Sequence, residues 1–107
     1  MKAEPDFNSI SNLNKLIHEP ARISVLSLLS VVEEADFIFI MNSTGLTQGN
    51  LSSHLAKLED AAYIEIEKSF KGKRPHTIVR LTDSGHRELI EYIKTIKKFI
   101  SYFSPGL

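Results

Sequence analysis

The segment LTQGNLSSHLAKLE, residues 46–59, combines leucines at helical spacing with an unusual polar face. Leu51, Leu55 and Leu58 recur at intervals of four and three residues, which predicts one apolar side of an α-helix. Most surface helices fill their other side with Glu, Lys, Arg and Ala, which are strong helix formers. Here that side is mainly small and uncharged, with Gln48, Gly49, Asn50, Ser52, Ser53 and His54 followed by Lys57. Because amides, hydroxyls and imidazoles can donate or accept, this face can exchange hydrogen bonds with the polar edges of another molecule.

The second unusual segment is basic. From Lys68 to Arg80 the chain carries five cations and no acid, although the net charge of the 107 residues is zero. Residues 1–67 hold four Lys or Arg against ten acids, whereas residues 68–107 hold nine against three. Such an asymmetry marks either a surface for a polyanion or a solvated hairpin that happens to be basic, and composition does not decide between them.

Two further helices are predicted before the polar one. Apolar residues recur every three or four positions over residues 7–17, which predicts a short first helix. Glu19-Pro20 ends it, because the residue before a proline avoids the helical region. Pro20 can then begin a second helix that runs through Val32 and carries a broad apolar face.

The segment between the second helix and the polar helix is ambiguous. EEAD, residues 33–36, is predicted to be a turn. The apolar run 37–41 fits either a short strand or a short helix, and periodicity cannot separate the two. Asn42–Gly45 is expected to break that element, and Thr47 is expected to cap the polar helix.

After Asp60 the apolar period changes to that of a strand. YIEIEKSF and HTIVRL, residues 63–70 and 76–81, alternate apolar and polar side chains. KGKRP between them is predicted to be a turn, so the pair forms a β-hairpin with a basic tip. Thr82 is expected to cap a last helix over about residues 83–101, and Ser104-Pro105-Gly106 is expected to stop it.

This order predicts one domain of the α+β class, mostly α, with the architecture of a winged helix-turn-helix. Residues 20–81 would form the winged helix-turn-helix with a two-stranded wing, between an N-terminal helix within residues 1–18 and a C-terminal dimerisation helix in 82–103. The major groove of B-DNA admits one helix and presents donors and acceptors, while phosphates attract cations. The polar helix, residues 47–59, would enter the groove and the basic wing, residues 68–76, would lie on the backbone or in the minor groove. The predicted DNA contacts are Thr47, Gln48, Gly49, Asn50, Ser52, Ser53, His54, Lys57, Lys71, Lys73 and Arg74.

The run from Gly45 to Leu81 resembles the small winged-helix transcriptional regulators of the ArsR/MarR-like group of archaea and bacteria. The resemblance covers roughly residues 20–95 and rests on an LT-x-GNLS-x-HL-x-KLE helix and a K-G-K-RP wing tip. It implies a homodimeric regulator that binds double-stranded DNA, with the terminal helices forming the dimer. Ala62 departs from the glycine usual in this group, and alanine disfavours a left-handed helix cap. A slightly different exit from the polar helix is therefore expected.

A dimer is also expected from the length of the last helix. About 19 residues at a rise of about 1.5 Å span nearly 30 Å, which is more than a domain of this size needs. Tyr92, Phe99 and Tyr102 add aromatic area outside its main apolar stripe. The residues predicted to form the dimer interface are Phe7, Ile10, Leu13, Ile93, Ile96, Ile100 and Phe103.

Other functions have weaker sequence support. Asp83, His86 and Glu91 lie on the last helix, where Asp83 and His86 can share a face. No second histidine follows at suitable spacing and the chain has no cysteine, so no metal or other cofactor is predicted. No hydrolase, phosphate-binding or metalloprotease motif is present, which argues against an enzyme. The alternative that stays open is a winged helix that binds other proteins in a larger assembly and not DNA.

The expected location is the cytoplasm. The chain has no run of 18 apolar residues, and its first ten residues lack the apolar core of a secretory signal. The sequence does not identify the operator, the direction of regulation or a small-molecule effector.

Overall fold

The computed structural model describes residues 6–104. Five helices and three strands follow one another in these residues: α1 Phe7–Ser11, α2 Pro20–Val32, β1 Glu34–Asp36, α3 Phe37–Thr44, α4 Gln48–Asp60, β2 Ile64–Lys71, β3 Arg74–Leu81 and α5 Asp83–Phe103. The start of the predicted N-terminal segment, residues 1–5, lies outside the described residues. So do Pro105 and Gly106 of the predicted stop, whereas Ser104 is the C-cap of α5.

The strands form one antiparallel sheet in the order β1-β3-β2. β2 and β3 pair along their full length, from Ile64 opposite Leu81 to Lys71 opposite Arg74. β1 pairs only with the root of β3, where Ala35 lies opposite Val79. The mostly helical α+β fold with a β-hairpin wing that the sequence predicts is therefore confirmed, with a third strand at its base.

The third strand corrects the prediction of a turn over residues 33–36. Glu33 alone reverses the chain, with a φ of 70° and an amide that donates to Leu29 O at 2.9 Å. The next three residues extend along β3, and Ala35 is buried. The pairing partners of β1 lie more than forty residues further along the chain, so local periodicity carries no sign of this strand.

The ambiguous apolar run is a helix. The Asp36 carboxylate accepts a hydrogen bond from Phe39 N at 2.8 Å, as an N-cap does. α3 continues through Asn42 to Thr44, so that only Gly45 ends it, with a left-handed φ of 73°. Residues 42–44 are therefore helical, contrary to the prediction of a break there.

The first helix is shorter than predicted. α1 ends at Ser11, and Asn12 caps it. The Asn14 side chain then accepts hydrogen bonds from the amides of Leu16 and Ile17, at 3.0 and 3.1 Å, which holds a turn in place of helix. Ile17 is fully buried at the end of this turn, so the apolar spacing marked the buried residue correctly although the backbone there is not helical.

The core lies between α2, α4, α5 and the inner face of the sheet. Its fully buried side chains include Leu26 and Leu29 of α2, together with Leu51 and Leu58 of α4. Gly85 allows the start of α5 to approach the sheet, because a Cβ there would lie 2.1 Å from Tyr63 O. The described residues include no helix that is both long and apolar enough to cross a lipid bilayer.

The exit from α4 keeps the left-handed geometry despite Ala62. Ala62 has a φ of 63°, its amide donates to Glu59 O at 2.9 Å, and the Tyr63 amide donates to Leu58 O at 3.0 Å. These two bonds are those of a Schellman motif, whose left-handed residue is usually glycine. The different helix exit expected from alanine is therefore not seen, and the chain accepts a strained residue at this position.

The molecule is elongated. Its radius of gyration is 16.3 Å and its extents are 64 × 23 × 22 Å, whereas a compact domain of about 100 residues has a radius of gyration of about 13 Å. The wing and the C-terminal half of α5 contribute to this elongation because they bury few side chains.

Candidate nucleic-acid interface

α4 is held firmly by its apolar side. Thr47 caps it, with its hydroxyl accepting from Asn50 N at 3.2 Å. Leu51, Leu55 and Leu58 are at most 3% exposed, which confirms them as core residues. The polar side of α4 is consequently fixed toward solvent in one orientation.

The polar residues of α4 fall into three neighbouring stripes at 100° per residue. Gln48 and Ser52 lie on the flank nearest the wing, where they line a cleft with Lys68 and Thr77. Gly49 and Ser53 lie outermost, and Asn50 and Lys57 lie on the opposite flank, all four exposed. Glu59 and Asp60 occupy the C-terminal end, so the surface suited to an anion is confined to the first three turns.

Gly49 is in open space. A Cβ built on it would meet no atom within 4 Å, so no contact inside the chain requires glycine there. Glycine in a helix is less stable than alanine by about 1 kcal/mol. The absence of a side chain at Gly49 brings the backbone to the surface at the positive end of the helix dipole, where a phosphate could approach it.

The His54 side chain is more enclosed than expected from its predicted place on the exposed polar face of α4. It is 18% exposed and its Nδ1 lies 3.1 Å from Arg22 Nη1 on α2. A guanidinium only donates, so this contact is a hydrogen bond in the tautomer whose Nδ1 accepts and whose Nε2 carries the proton. Glu19 Oε2 lies 3.6 Å from the same Nδ1. His54 therefore joins α4 to the start of α2, and its contact with DNA stays a prediction.

Glu19 connects this contact to the cap of α2. Burial raises the pKa of the Glu19 carboxyl, but hydrogen bonds from the amides of Arg22 and Ala21 outweigh it, so its pKa lies below the usual value. The bond from Arg22 N to Glu19 Oε2 is 3.0 Å long. Arg22 Nε also donates to Leu16 O. The sequence prediction missed this group because its members lie on two helices and a turn.

The wing separates its charges into two sets. At its root, Arg80 contacts Glu67 at 2.8 Å and Glu34 at 3.3 Å. At its tip, Lys71, Lys73 and Arg74 are exposed, and no acid of residues 6–104 lies within 4.0 Å of their charged groups. The tip is a two-residue loop in which Gly72 has a φ of 67°, as primed hairpin turns require. The wing therefore presents unpaired positive charge at its far end.

The wing tip and the start of α4 border the same open space. One cleft of about 340 Å³ runs between α4 and the inner face of the wing. A second, of about 620 Å³, brings Gln48 beside Lys71 and Arg74 together with the N-terminal half of α3. Of the two predicted sets of contacts, Gln48 on α4 and Lys71 and Arg74 on the wing thus line one cleft.

The residues predicted for a dimer divide into two groups. Phe7, Ile93, Ile100 and Phe103 are exposed, by 61%, 45%, 42% and 59% respectively. Leu13 and Ile96 pack against the core, and Ile10 lines a cleft between α1 and α5. Tyr92 is buried and hydrogen-bonds His18 Nδ1 at 2.7 Å, so it is not part of a free aromatic surface.

Other features bear on the alternatives. Among residues 6–104 no group of three or more His, Asp or Glu side chains could hold a metal ion.

Phe70, which the sequence prediction passed over, is 74% exposed on the wing. The sequence feature that could have identified Phe70 is its position as the last apolar residue before the basic turn.

Comparison with known proteins identifies the family. Residues 21–100 match the family model described as a winged helix DNA-binding domain. An uncharacterised protein of Methanocaldococcus jannaschii is 34% identical over 82 residues, which cover 77% of this chain and 89% of that protein.

Solved structures agree with this assignment. A transcriptional regulator homologue from Pyrococcus horikoshii superposes with a TM-score of 0.84 at 28% identity, covering 92% of this chain and 96% of that chain. A MarR-family regulator from Silicibacter pomeroyi gives a TM-score of 0.65 at 17% identity, covering 94% and 67%, a likeness of fold. The chain therefore belongs to the winged helix DNA-binding domain family, which is typically non-enzymatic.

Proposed function

We propose that the protein is a transcriptional regulator that binds double-stranded DNA as a homodimer, sequence-specifically, with α4 in the major groove and the wing on the phosphate backbone and minor groove. One observation carries this proposal: Gln48, at the start of the uncharged polar face of α4, borders the same open space as Lys71 and Arg74, two of the three unpaired cations of the wing tip. A partner for both must offer hydrogen-bonding edges beside regular negative charge. A DNA groove has that composition.

The two surfaces take different roles. Gln48, Asn50, Ser52 and Ser53 contact base edges, because their side chains are exposed and can both donate and accept. His54 Nε2 adds a donor on one flank. Lys57, Lys71, Lys73 and Arg74 contact phosphates, and Thr47 and Gly49 place the N-terminal amides of α4 near one. Such a protein acts where the chromosome is, which is the cytoplasm in bacteria and archaea.

The dimer rests on the exposed apolar residues of α1 and of the C-terminal half of α5. Phe7 stacks edge-to-face on Phe99, with ring centroids 6.1 Å apart, and Phe99 in turn contacts Phe103 at 5.2 Å. This aromatic group continues the exposed stripe of Ile93 and Ile100. A second copy packed on it would give two recognition helices, which can meet successive major-groove faces about 34–36 Å apart.

The test is fluorescence anisotropy of a labelled duplex taken from upstream of the protein's own gene, beside a scrambled duplex of equal length. Both are titrated between about 50 and 200 mM salt, a range over which 6–10 phosphate contacts cost about 10³–10⁵ in affinity. Preference for the upstream duplex with a steep salt dependence is expected. Absence of binding to either duplex at low salt would contradict the proposal and would favour the protein-interaction alternative.

Matched variants separate the two surfaces. Lys73→Ala with Arg74→Ala should weaken both duplexes alike and reduce the salt slope by about one unit for each phosphate that the variant no longer neutralises. Asn50→Ala and Ser53→Ala remove no charge and should instead change the preference between sequences. Equal loss of affinity for every sequence from the α4 variants would show that the base-contacting face is assigned wrongly.

A further inference from the structure

Phe70 is more exposed than any other Phe or Tyr that the structure describes, at 74%. Of the other exposed phenylalanines, Phe7 and Phe103 belong to the aromatic group of α1 and α5, and Phe39, on α3, is 48% exposed. Phe70 stands apart from them on the wing, and within residues 6–104 no aromatic ring is in contact with it. Most of this side chain is therefore left in solvent.

The strand register fixes the direction in which Phe70 projects. Side chains alternate along β2, so Phe70 lies on the same face as Ile64 and Ile66, which point into the core. Pro75 lies directly opposite Phe70 on β3. Past the core, this face continues through Lys68 and Thr77, which line the cleft against α4. Phe70 therefore extends the side of the wing that faces the polar helix.

The surroundings of Phe70 are cationic. Lys71 follows it, and Lys73 and Arg74 lie within four residues at the tip, all three exposed and without an acidic partner among residues 6–104. An apolar ring surrounded by cations suits a partner that has both a polyanionic backbone and an apolar interior. Duplex DNA is such a partner, since its base pairs are stacked π-surfaces between two rows of phosphates.

We propose that Phe70 is an apolar wedge that enters the minor groove beside the α4 site and partly unstacks one base step. This inference rests on the proposed DNA binding. Minor-groove proteins insert Phe, Leu, Ile, Met or Pro in this way and kink the duplex. Pyrimidine–purine steps, TA and CA/TG, unstack most easily, so Phe70 selects such a step without a hydrogen bond to a base. Lys73 and Arg74 hold the phosphates on either side of the groove.

The experiment uses the full-length protein and the preferred upstream duplex, with 2-aminopurine placed in turn at each step on either flank of the site. Unstacking raises the fluorescence of this base analogue. The wild type is expected to raise it at one pyrimidine–purine step per half-site. Phe70→Ala should abolish the rise and weaken binding about tenfold, with an unchanged salt slope because no charge is removed. Phe70→Leu should retain most of the rise, since leucine is also a wedge residue.

Val31→Ala is the matched control, because Val31 is 80% exposed on α2 and its substitution removes apolar surface away from the wing. This variant should bind and unstack as the wild type does. Thermal unfolding of Phe70→Ala should stay close to that of the wild type, since most of the Phe70 side chain is exposed. If the wild type binds and Phe70→Ala gives the same affinity and fluorescence, the wedge is overturned while the DNA-binding proposal stands. If the wild type binds no duplex, both fail.

Discussion

The two halves of α5 have apolar residues at the same helical spacing, but they differ in how far those side chains are buried. The first half, residues 83–92, buries Gly85, Leu89 and Tyr92 against the sheet and the turn before α2. The second half buries none of its residues, and it exposes Ile93, Ile100 and Phe103. The stripe is continuous, yet the body of the domain covers only its beginning.

An apolar stripe on a helix thus indicates that the stripe will be buried, but it does not indicate which surface will cover it. The first half of α5 has its partner in the same chain, so its residues contribute to folding at any concentration. The second half packs only Ile96 against the core and otherwise lies beside α1, so its exposed residues are expected to contribute through a second copy. Substitutions in the two halves should therefore respond differently to protein concentration.

The largest effect is expected at Gly85. A methyl group at Gly85 would lie 2.1 Å from Tyr63 O, which is backbone that also accepts from Thr82 N at 3.0 Å. Gly85→Ala should therefore lower the free energy of unfolding by about 3 kcal/mol or more, as severe overpacking does. Urea unfolding followed by circular dichroism measures this. A decrease below about 1 kcal/mol would mean that the start of α5 is packed more loosely than described.

Leu89→Ala and Ile100→Ala remove similar side chains from the two halves of α5. Leu89 is 1% exposed, so its truncation should cost about 3 kcal/mol at every protein concentration. Ile100 is 42% exposed, so its truncation should lower the unfolding midpoint chiefly where the wild type is dimeric. Unfolding at two concentrations a hundredfold apart, with light scattering, distinguishes them. Identical behaviour of the two variants would mean that the halves do not differ in their packing partner.

Gly49→Ala tests the exposed surface of α4, where the added methyl group would contact no other part of the chain. Alanine should raise the free energy of unfolding by up to about 1 kcal/mol, because it favours helix and meets no atom within 4 Å. The same methyl group should weaken DNA binding, because it separates the first turn of α4 from the duplex. Thermal melting and anisotropy on one preparation measure both. Tighter binding by this variant would show that the backbone at Gly49 does not approach DNA.

The smallest effect is expected from Ala62→Gly, the reverse substitution to Gly49→Ala, at the other end of α4. Because Ala62 has a φ of 63°, glycine should relieve left-handed strain, and a gain of about 1 kcal/mol or less is expected after the entropy cost of glycine. DNA binding should not change, since Ala62 lies past the acidic end of the helix. A decrease in stability in urea unfolding would mean that the Ala62 methyl group makes a contact worth more than the strain.

Much of the fold could be predicted because its signals are local. Pro20 and Thr47 begin their helices, and the change of apolar period after Asp60 marks the wing. What failed depends on distant residues. β1 forms because it pairs with Val79 and its neighbours on β3. The chain turns at Asn14 and does not continue as helix, because the Asn14 side chain accepts hydrogen bonds from two backbone amides.

The candidate site shows the same division. The polar stripe of α4 and the tip cations could be predicted from residue types and a helical or strand period. The enclosure of His54 could not, because it requires Arg22 and Glu19 to be brought across from α2. The pairing of Phe70 with Pro75 could not be predicted either, because it requires the length of the turn to be known.

The strand order β1-β3-β2 also bears on how copies of the protein meet. β2 is an edge strand with a row of unpaired backbone groups, and such edges promote sheet-to-sheet aggregation. Four of its eight residues are charged: Glu65, Glu67, Lys68 and Lys71. Charged side chains along an edge oppose the addition of another strand. Addition of a strand from another copy to the β2 edge of the wing is therefore disfavoured.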